Sequence, residues 1–209
     1  MRILAKKILN TAFWILALPA FAFFFIHTIL SGQPRAIGFW SQTLGLIPGQ
    51  TGVYFRRAFY SLALQAAQDD SVISFGVLFS SSNTHIGNKA YIGPYCVIGD
   101  ASIGNDTLIG SQVSIMNGTK QHGISRLDIP IREQPGEWPR IIIGEDSWIG
   151  DRAVVMANIG AHCVIGAGSV VTKSIPDFAV AVGNPARIIR FRNEDQSAPL
   201  TEEPERPSA

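Results

Sequence analysis

The stretch between Ile115 and Ile143 holds the side chains best suited to chemistry in this sequence. It contains His122, one of four histidines among 209 residues, and carboxylates that include Asp128 and Glu133. An imidazole has an unperturbed pKa of about 6.5, so it can accept a proton near neutral pH, and a neighbouring carboxylate would fix its tautomer. His122 is therefore a candidate for acid–base chemistry, and the spacing leaves open which carboxylate would orient it.

The two cysteines, Cys96 and Cys163, are the possible thiol nucleophiles. Each stands four residues after the isoleucine that begins an Ile-Gly pair, a position that small residues occupy throughout the repeats described below. We therefore expect both thiols to be packing residues, and two cysteines are too few for a disulfide scaffold.

The elements that must position these residues are revealed by a six-residue period. Two blocks of Ile-Gly pairs lie on either side of the stretch that holds His122, with one five-residue step after Ile98 and one four-residue step after Val155. The pairs begin at Ile86, Ile92, Ile98, Ile103, Ile109, Ile143, Ile149, Ile159 and Ile165. Such a period is typical of a β-helix whose aliphatic residues point inward and whose glycines allow tight corners. Because residues 116–142 lack the period, they are predicted to leave the coil as a loop, the usual place for chemistry on a rigid scaffold.

Composition excludes several classes of protein. Lys and Arg number 17 and Asp and Glu 16, a net charge of +1 that gives no electrostatic basis for binding nucleic acid. Charged residues make up 16% of the chain, against about 25% in typical proteins, and 46% of the chain is hydrophobic, so it is not disordered as a whole.

Part of the missing charge is local, since residues 8–34 contain no Asp, Glu, Lys or Arg. The apolar run from Ile8 to Leu30 follows Arg2, Lys6 and Lys7 and is long enough to cross a bilayer. A cleaved signal peptide, a single span and a re-entrant or in-plane anchor all remain open. A second apolar stretch at residues 36–48 could also lie on the membrane.

Residues 53–68 are predicted to form an amphipathic helix. Phe55, Phe59, Leu62 and Ala66 fall on one face, with Arg56, Arg57 and Tyr60 directed elsewhere. The helix could dock on the domain that follows, or its arginines could form a basic patch that faces lipid headgroups.

From about Ser71 to Arg190 the sequence resembles the hexapeptide-repeat acyltransferases. The repeats carry the resemblance, together with the closing stretches Ile165–Lys173 (IGAGSVVTK) and Gly183–Arg187 (GNPAR). The resemblance implies an all-β domain that is a left-handed parallel β-helix of triangular cross-section, for which we expect four to five coils. It also implies a homotrimer with active sites between neighbouring subunits.

The resemblance also assigns roles to individual residues. The run from Ile115 to Gly118 (IMNG), followed by His122, is similar to the sugar O-acetyltransferases and xenobiotic acetyltransferases, which implies that His122 is the base that deprotonates an acceptor hydroxyl attacking acetyl-CoA. The expected substrate-binding residues are Asn83, His85, Trp138 and Trp148. The expected cofactor-binding residues are Gly166, Ala167 and Ser169 along the pantetheine arm and Lys173 and Arg187 at the phosphates.

The function expected from the sequence is acetyl transfer from acetyl-CoA to a saccharide hydroxyl in surface polysaccharide biosynthesis. The alternatives are a serine or amino-sugar acetyltransferase, a metal enzyme similar to the γ-carbonic anhydrases, and an inactive scaffold that binds membrane and partners. The metal enzyme would need three converging histidines, whereas His122 has no second histidine within five residues. No metal is therefore expected.

Function constrains the expected location, because acetyl-CoA is cytosolic. We therefore expect a bacterial inner-membrane protein with its catalytic domain in the cytoplasm. With the basic N-terminus on the same side, this location favours the re-entrant or in-plane anchor over a span. The expected organisation is an anchor at residues 1–34, a helical connector at 35–70, a β-helix at 71–190 with its active-site loop at 116–142, and a disordered acidic tail at 191–209.

Overall fold

The computed structural model describes residues 2–68 and 70–194, with side chains from residue 7 onward. Three helices come first: α1 at Arg2–Ser31, α2 at Gln33–Gly45 and α3 at Gly49–Ala63. Short strands arranged in three sheets follow; α2 and α3 stack on the first coil that these strands form, and α1 packs on α2 and α3. The tail predicted for residues 191–209 lies mostly outside the described residues.

The strands are two to five residues long and visit the three sheets in rotation. The first sheet contains β1 (Ala66–Ala67), β4 (His85–Ile86), β7 (Ala101–Ile103) and β10 (Ile141–Ile143). The second contains β2 (Val72–Ile73), β5 (Tyr91–Ile92), β8 (Leu108–Ile109), β11 (Trp148–Ile149), β13 (Val164–Ile165), β15 (Ala179–Val182) and β16 (Arg187–Phe191). The third contains β3 (Leu78–Phe79), β6 (Val97–Ile98), β9 (Ser114–Ile115), β12 (Val154–Val155) and β14 (Val170–Val171).

This arrangement confirms a parallel β-helix and corrects the number of coils. In the described part of the chain, every pairing between successive coils is parallel, and only β16 runs antiparallel, to β15. The second sheet has one parallel strand in each of about six coils, so four to five was an underestimate. The expected β-helix began at Ser71 and so left out β1, and the strands of the first coil, β1 to β3, contain no Ile-Gly pair that would have marked a further coil.

The inward-facing aliphatic residues form one continuous core. Ile86, Ile103 and Ile143 stack in the first sheet, and the column continues through single bridges to Ile159 and Ile175. All five are at most 7% exposed. Because each coil places an equivalent residue directly above the last, the six-residue period seen in the sequence becomes a dry column of stacked side chains.

All irregular steps fall on one edge of the triangular prism. The chain passes from the third sheet to the first through residues 80–84, 99–100, 116–140, 156–158 and 172–174, and we call this corner the loop edge. The five-residue step from Ile98, the excursion after Ile115 and the four-residue step from Val155 all lie here. Despite the short step, Ile159 donates its N–H to the Ile142 carbonyl, so the register of the following coils is kept.

The other two corners, which we call the regular edges, keep the six-residue spacing. A glycine begins nearly every turn, the third residue is left-handed, as in Lys89 and Tyr95, and a small buried residue ends the turn. Cys96 and Cys163 occupy this last position, fully buried, with their thiols directed at the carbonyls of Gly110 and Pro176. Burial raises the pKa of Cys96 to about 11, which suits a packing residue and not a nucleophile.

The prediction of which side of the helix at residues 53–68 is buried was wrong. The helix ends at Ala63, and Arg56, Arg57 and Tyr60 are buried, so the arginines form no patch toward headgroups. The Arg56 guanidinium donates to the carbonyls of Ile73, Leu44 and Ile47, and burial lowers its pKa. The helix therefore docks on the first coil through its cations, because carbonyls of α2, of the turn after it and of the first coil accept hydrogen bonds from both guanidinium groups, although Nη2 of Arg56 is buried without a partner among the described residues.

Helix α1 lies on the outer side of the layer formed by α2 and α3. Its segment Lys7–Ser31 is long and apolar enough to cross a membrane by length and composition alone. Only 11% of the most apolar window is buried against the rest of the chain.

Candidate active site

The loop of residues 116–140 is closed at its base by Asn117. The buried side-chain amide of Asn117 donates to the carbonyls of Asp100 and Pro139, and its Oδ1 accepts the N–H of Asp100. One amide thus joins the outgoing limb, the returning limb and the preceding coil. The loop leaves the prism from a fixed point as a result.

The two limbs pair further out, where His122 is placed. The N–H of Glu137 donates to the Lys120 carbonyl at 2.8 Å. Gly136 packs so closely on the outgoing limb that a Cβ there would collide with the Gln121 carbonyl and lie 2.9 Å from the backbone N of His122. This contact requires glycine and fixes the backbone position of His122 against the returning limb.

Gln134 organises the outer part of the loop. It is buried among exposed neighbours; its amide donates to the carbonyls of Arg126 and Ile129, and its oxygen accepts the N–H of Arg126. A short 3₁₀ turn at Ile131–Glu133 precedes it. Residues 126–134 are therefore folded around an internal amide.

The imidazole of His122 is exposed and stands edge-on to Trp138, with 5.6 Å between the ring centroids. Neither suggested carboxylate orients it. Asp128 pairs with Arg126, which lowers the pKa of that carboxyl, and Glu133 pairs with Arg132. Within the described part of the chain, His122 makes no hydrogen bond through its ring.

The other early-coil candidates lie beside the base of the loop. Arg140, on the returning limb, donates from Nε to Asp100 at 2.7 Å and from Nη2 to the backbone carbonyl of Asn83 at 2.8 Å. The Asn83 side chain is exposed. His85 is half-buried in β4, and among the described residues its Nδ1 is buried without a hydrogen-bond partner. The structure thus brings Asn83 and His85 to the same edge as His122.

An open groove of about 410 Å³ runs along the loop edge from the base of the loop. Its lining includes Lys120 and Glu137 from the loop and Lys173 from the fifth coil, with Met156 and Thr172 between them. The groove presents two cations and a partly apolar floor, which suits a ligand that has an apolar arm and an anionic end.

The remaining cofactor candidates lie on a different edge. Gly166 and Ala167 form the turn from the second to the third sheet, where Ala167 lines a second depression with Arg152. Ser169 is buried and its Oγ accepts the N–H of Gly183, so its hydroxyl supports the final hairpin. Arg187 is exposed at the start of β16 in that hairpin. Within one chain, these four residues and Lys173 therefore do not share a site.

Trp148 lies on the outer face of the second sheet and is 54% exposed, away from the loop. It borders a shallow depression with Asp106, Asp146 and Arg192. On the adjoining regular edge, Asp146 accepts a hydrogen bond from His162 at 3.0 Å, which lowers the pKa of the carboxyl. Trp138 and Trp148, both proposed from the sequence to contact sugar, are thus on different sides of the prism.

The sequence reasoning missed Asn117, Gln134 and Arg140, which hold the loop. The available signal was their place in the sequence, at the two ends of the non-periodic stretch or beside prolines. For Asn117 and Arg140, however, the hydrogen-bond partners that define their roles are 17 or more residues away along the chain. Across the described residues, no three His, Cys, Asp or Glu side chains come together as metal ligands.

These features define a hexapeptide-repeat protein with a loop-borne histidine. Residues 83–119 and 140–173 match the family described as bacterial transferase hexapeptide (six repeats). The repeats of this chain thus match the model of this family, as the resemblance indicated.

Among curated relatives, the chain is 35% identical over 127 residues to a putative lipopolysaccharide biosynthesis O-acetyl transferase, WbbJ, of Escherichia coli K12. It is 38% identical over 125 residues to the galactoside O-acetyltransferase of the same strain. These matches cover 57% and 56% of this chain and 63% and 59% of the relatives. The chain thus spans about three fifths of the length of these relatives.

Among solved structures, a galactoside acetyltransferase in complex with coenzyme A superposes with a TM-score of 0.66 at 26% identity, covering 82% of this chain and 88% of that one. A maltose O-acetyltransferase from Clostridium difficile 630 superposes with a TM-score of 0.63 at 22% identity, over 74% of this chain and 86% of that one. The second likeness shows the fold alone.

Proposed function

We propose that this chain is an acetyl-CoA-dependent O-acetyltransferase that acetylates a saccharide hydroxyl during synthesis of a surface polysaccharide. The observation that carries the proposal is the exposed His122–Trp138 pair on a loop beside the groove that reaches Lys173. The relatives named as O-acetyltransferases of lipopolysaccharide biosynthesis and of galactosides support the choice of reaction and acceptor class.

His122 would act as the general base. Its imidazole takes the proton of the acceptor hydroxyl while that oxygen attacks the thioester carbonyl carbon of acetyl-CoA. Backbone N–H groups of a coil turn stabilise the oxyanion; the carbon–sulfur bond then breaks, and the coenzyme A sulfur takes the proton back from the imidazolium. Direct transfer is favoured over an acyl-enzyme because both cysteines are buried and burial raises the pKa of each thiol.

The acceptor would be held by the aromatic and amide groups near the loop. Trp138 offers an exposed ring face for a sugar, and Asn83 and His85 lie at the same edge. The Nδ1 of His85, which has no hydrogen-bond partner among the described residues, can serve as a hydrogen-bonding group once a ligand or a second subunit covers this surface.

The donor would be bound between subunits of a homotrimer. Lys173 and the groove lie on the loop edge, whereas Gly166, Ala167, Ser169 and Arg187 lie on a regular edge. One coenzyme A molecule can contact both sets if the loop edge of one subunit faces the regular edge of the next, and Trp148 would then approach the site from the neighbour. The phosphates would meet Lys173 and Arg187, whose charged hydrogen bonds are the strong ones.

Because acetyl-CoA is cytosolic, we infer that the β-helix faces the cytoplasm of a bacterial cell and that the apolar N-terminal helix attaches it to the inner membrane. Residues 1–34 would form the anchor, 35–70 the connector, 71–190 the catalytic domain and 191–209 a tail.

The direct test is an acceptor screen with purified full-length protein and acetyl-CoA, following free coenzyme A and the mass of each acceptor. We expect a mass gain of one acetyl group on a saccharide hydroxyl, with none on serine or amino sugars. Acetylated serine would indicate the alternative acetyltransferase. Hydration of carbon dioxide together with stoichiometric bound zinc would replace the proposal by the metal enzyme.

A further inference from the structure

The outer face of α1 is apolar, and none of the other described residues covers it. One side of the helix packs on α2 and α3 through Ala17 and Phe24, which are at most 6% exposed. The opposite side carries Ile8, Ile15 and Ile26, each more than half exposed. These positions lie about half a helical turn from the buried ones, so α1 has a packed face and a free face.

The free face is too large and too apolar to remain in water. Its exposed apolar residues are Ile8, Leu9, Trp14, Ile15, Leu16, Leu18, Phe23, Phe25, Ile26, Ile29 and Leu30. Exposed Phe39 and Leu46 of α2 add to the apolar surface of the helical layer. A contiguous apolar surface of this extent marks an interaction site on a soluble protein or a surface in contact with lipid.

Charge at its two ends favours lipid over another protein. No charged residue lies between Lys7 and Arg35, and both of these are exposed. Lys7 lies in α1 and Arg35 at the start of α2, and cations that flank an apolar segment reach toward headgroups while the apolar residues enter the hydrocarbon boundary. Trp14, partly exposed, is of the type enriched at membrane interfaces.

Both ends of α1 are held to the same end of the β-helix. Near its start, Asn10 accepts a hydrogen bond from Arg57, whose Nε donates to the Ser71 carbonyl of the first coil. Near its end, Phe24 packs edge-on against Phe59, with 5.6 Å between the ring centroids.

The last turn of α1 is tied to the first coil through α2. His27 packs edge-on against Phe39, and Ser41, two residues further along α2, directs its hydroxyl to the carbonyl of Phe79 in β3. From Asn10 to His27 the helix is about 25 Å long. It therefore lies across the end of the prism and does not extend away from it.

We propose that α1 lies in the plane of a lipid bilayer, with its free face in the hydrocarbon boundary and its packed face on the helical layer. If α1 crossed the bilayer while keeping these contacts, it would carry Arg57 and the edge of the first coil into hydrocarbon. Charged groups and unpaired sheet edges are costly there. An in-plane helix leaves the arginines and the β-helix on one side of the membrane.

Vesicle flotation tests the free face. Wild-type protein is expected to float with vesicles of phosphatidylethanolamine and phosphatidylglycerol. The double substitution Ile15→Lys with Ile26→Lys should reduce the bound fraction at least tenfold. The matched control, Ile188→Lys with Ile189→Lys, changes the same residue types on exposed β16 and should bind like wild type.

Circular dichroism melting of each variant separates loss of binding from loss of folding. If the α1 variant melts like wild type and still floats, the free face is not the docking surface. Wild type that stays unbound but self-associates through α1 would instead assign the face to a second copy of the chain.

Cysteine labelling separates an in-plane helix from a span. The native thiols are buried, so Lys7→Cys and Arg35→Cys each provide one accessible thiol in the described residues. A membrane-impermeant maleimide should label both in inverted membrane vesicles and neither in intact cells. Labelling of the two positions from opposite sides would overturn the in-plane arrangement. Neither experiment depends on acetyl transfer, so the proposed function can fail without affecting this result.

Discussion

The loop edge and the regular edges are built on the same coils but differ in the residue types and the connection lengths that they tolerate. On a regular edge, a glycine of one coil lies directly against the backbone of the next; a Cβ on Gly87 would lie 2.6 Å from the backbone N of Asn105. On the loop edge, steps of four and five residues and an excursion of more than twenty coexist in consecutive coils.

The difference teaches where this scaffold can accept chemistry. Inward residues keep their stacking as long as each coil returns to the same column, as Ile143, Ile159 and Ile175 do. The length of chain between columns is then limited only by packing at the corner. Tight glycine corners leave no room, whereas the loop edge accommodates an insertion that can carry a histidine.

The largest expected effect is the loss of kcat when a histidine on the loop edge is removed, compared with removal of a histidine on a regular edge. His122→Ala should lower kcat for acetyl transfer by about 10²–10⁴-fold, because it removes the proposed general base. The matched change His162→Ala removes a histidine that pairs with Asp146 on a regular edge and should leave kcat within a few-fold of wild type. Steady-state kinetics with acetyl-CoA check both, and equal losses would erase the functional contrast between the edges.

A glycine substitution tests the tightness of a regular edge. Gly87→Ala should lower the free energy of unfolding by about 1–3 kcal/mol, because the added methyl group must push the next coil away. Gly38→Ala, in α2 with open space around it, should be neutral or stabilise by up to about 1 kcal/mol. Denaturant unfolding measures both, and a Gly87 variant as stable as wild type would show that the corner can yield.

Asn117 tests how firmly the loop edge is held. Asn117→Ala removes bonds to Asp100 and Pro139 and should cost about 1–2 kcal/mol, with a drop in kcat because the loop limbs separate. Asn105→Ala, which removes one amide contact to Asn88 on a regular edge, should lower stability while kcat is kept. If both variants lose stability and neither loses kcat, the base of the loop does not position His122.

The smallest expected effect is a change in the pH dependence of folding stability, caused by a carboxylate on a regular edge. The hydrogen bond from His162 lowers the pKa of Asp146 in the folded chain, so this group stabilises the fold above its unfolded pKa of about 3.9. That contribution is lost as the pH falls through the lowered folded value. The effect is small because the pair is exposed. Between pH 5 and pH 3, the free energy of unfolding, measured by denaturant titration, should depend slightly less on pH in Asp146→Asn than in wild type.

Much of the scaffold could be predicted from the sequence because its period is local. The inward isoleucines, the small corner residues including Cys96 and Cys163, and the excursion after Ile115 all follow from spacing along the chain. The first coil was only partly included in the predicted β-helix, because Ala66–Ala67 lies before residue 71 and neither it nor Leu78–Phe79 carries the Ile-Gly signal; both strands pair with strands of the second coil.

Contacts between distant residues could not be predicted in the same way. The pattern placed Arg56 and Arg57 away from the packed face, since arginine is seldom buried. The carbonyls that accept their hydrogen bonds belong to residues 44–73, and only the folded chain brings these together. The same holds for Asn117 and Arg140 at the base of the loop.

The sequence by itself determined that this chain is a β-helix of hexapeptide repeats, interrupted once by a loop with a histidine and preceded by an uncharged apolar segment. The tertiary structure alone decided that the irregular steps share an edge, that Lys173 and Arg187 stand on different edges, and that α1 lies across the end of the prism. A repeat is dictated by neighbours six residues apart, whereas an edge or a docked helix depends on how whole coils add up in space.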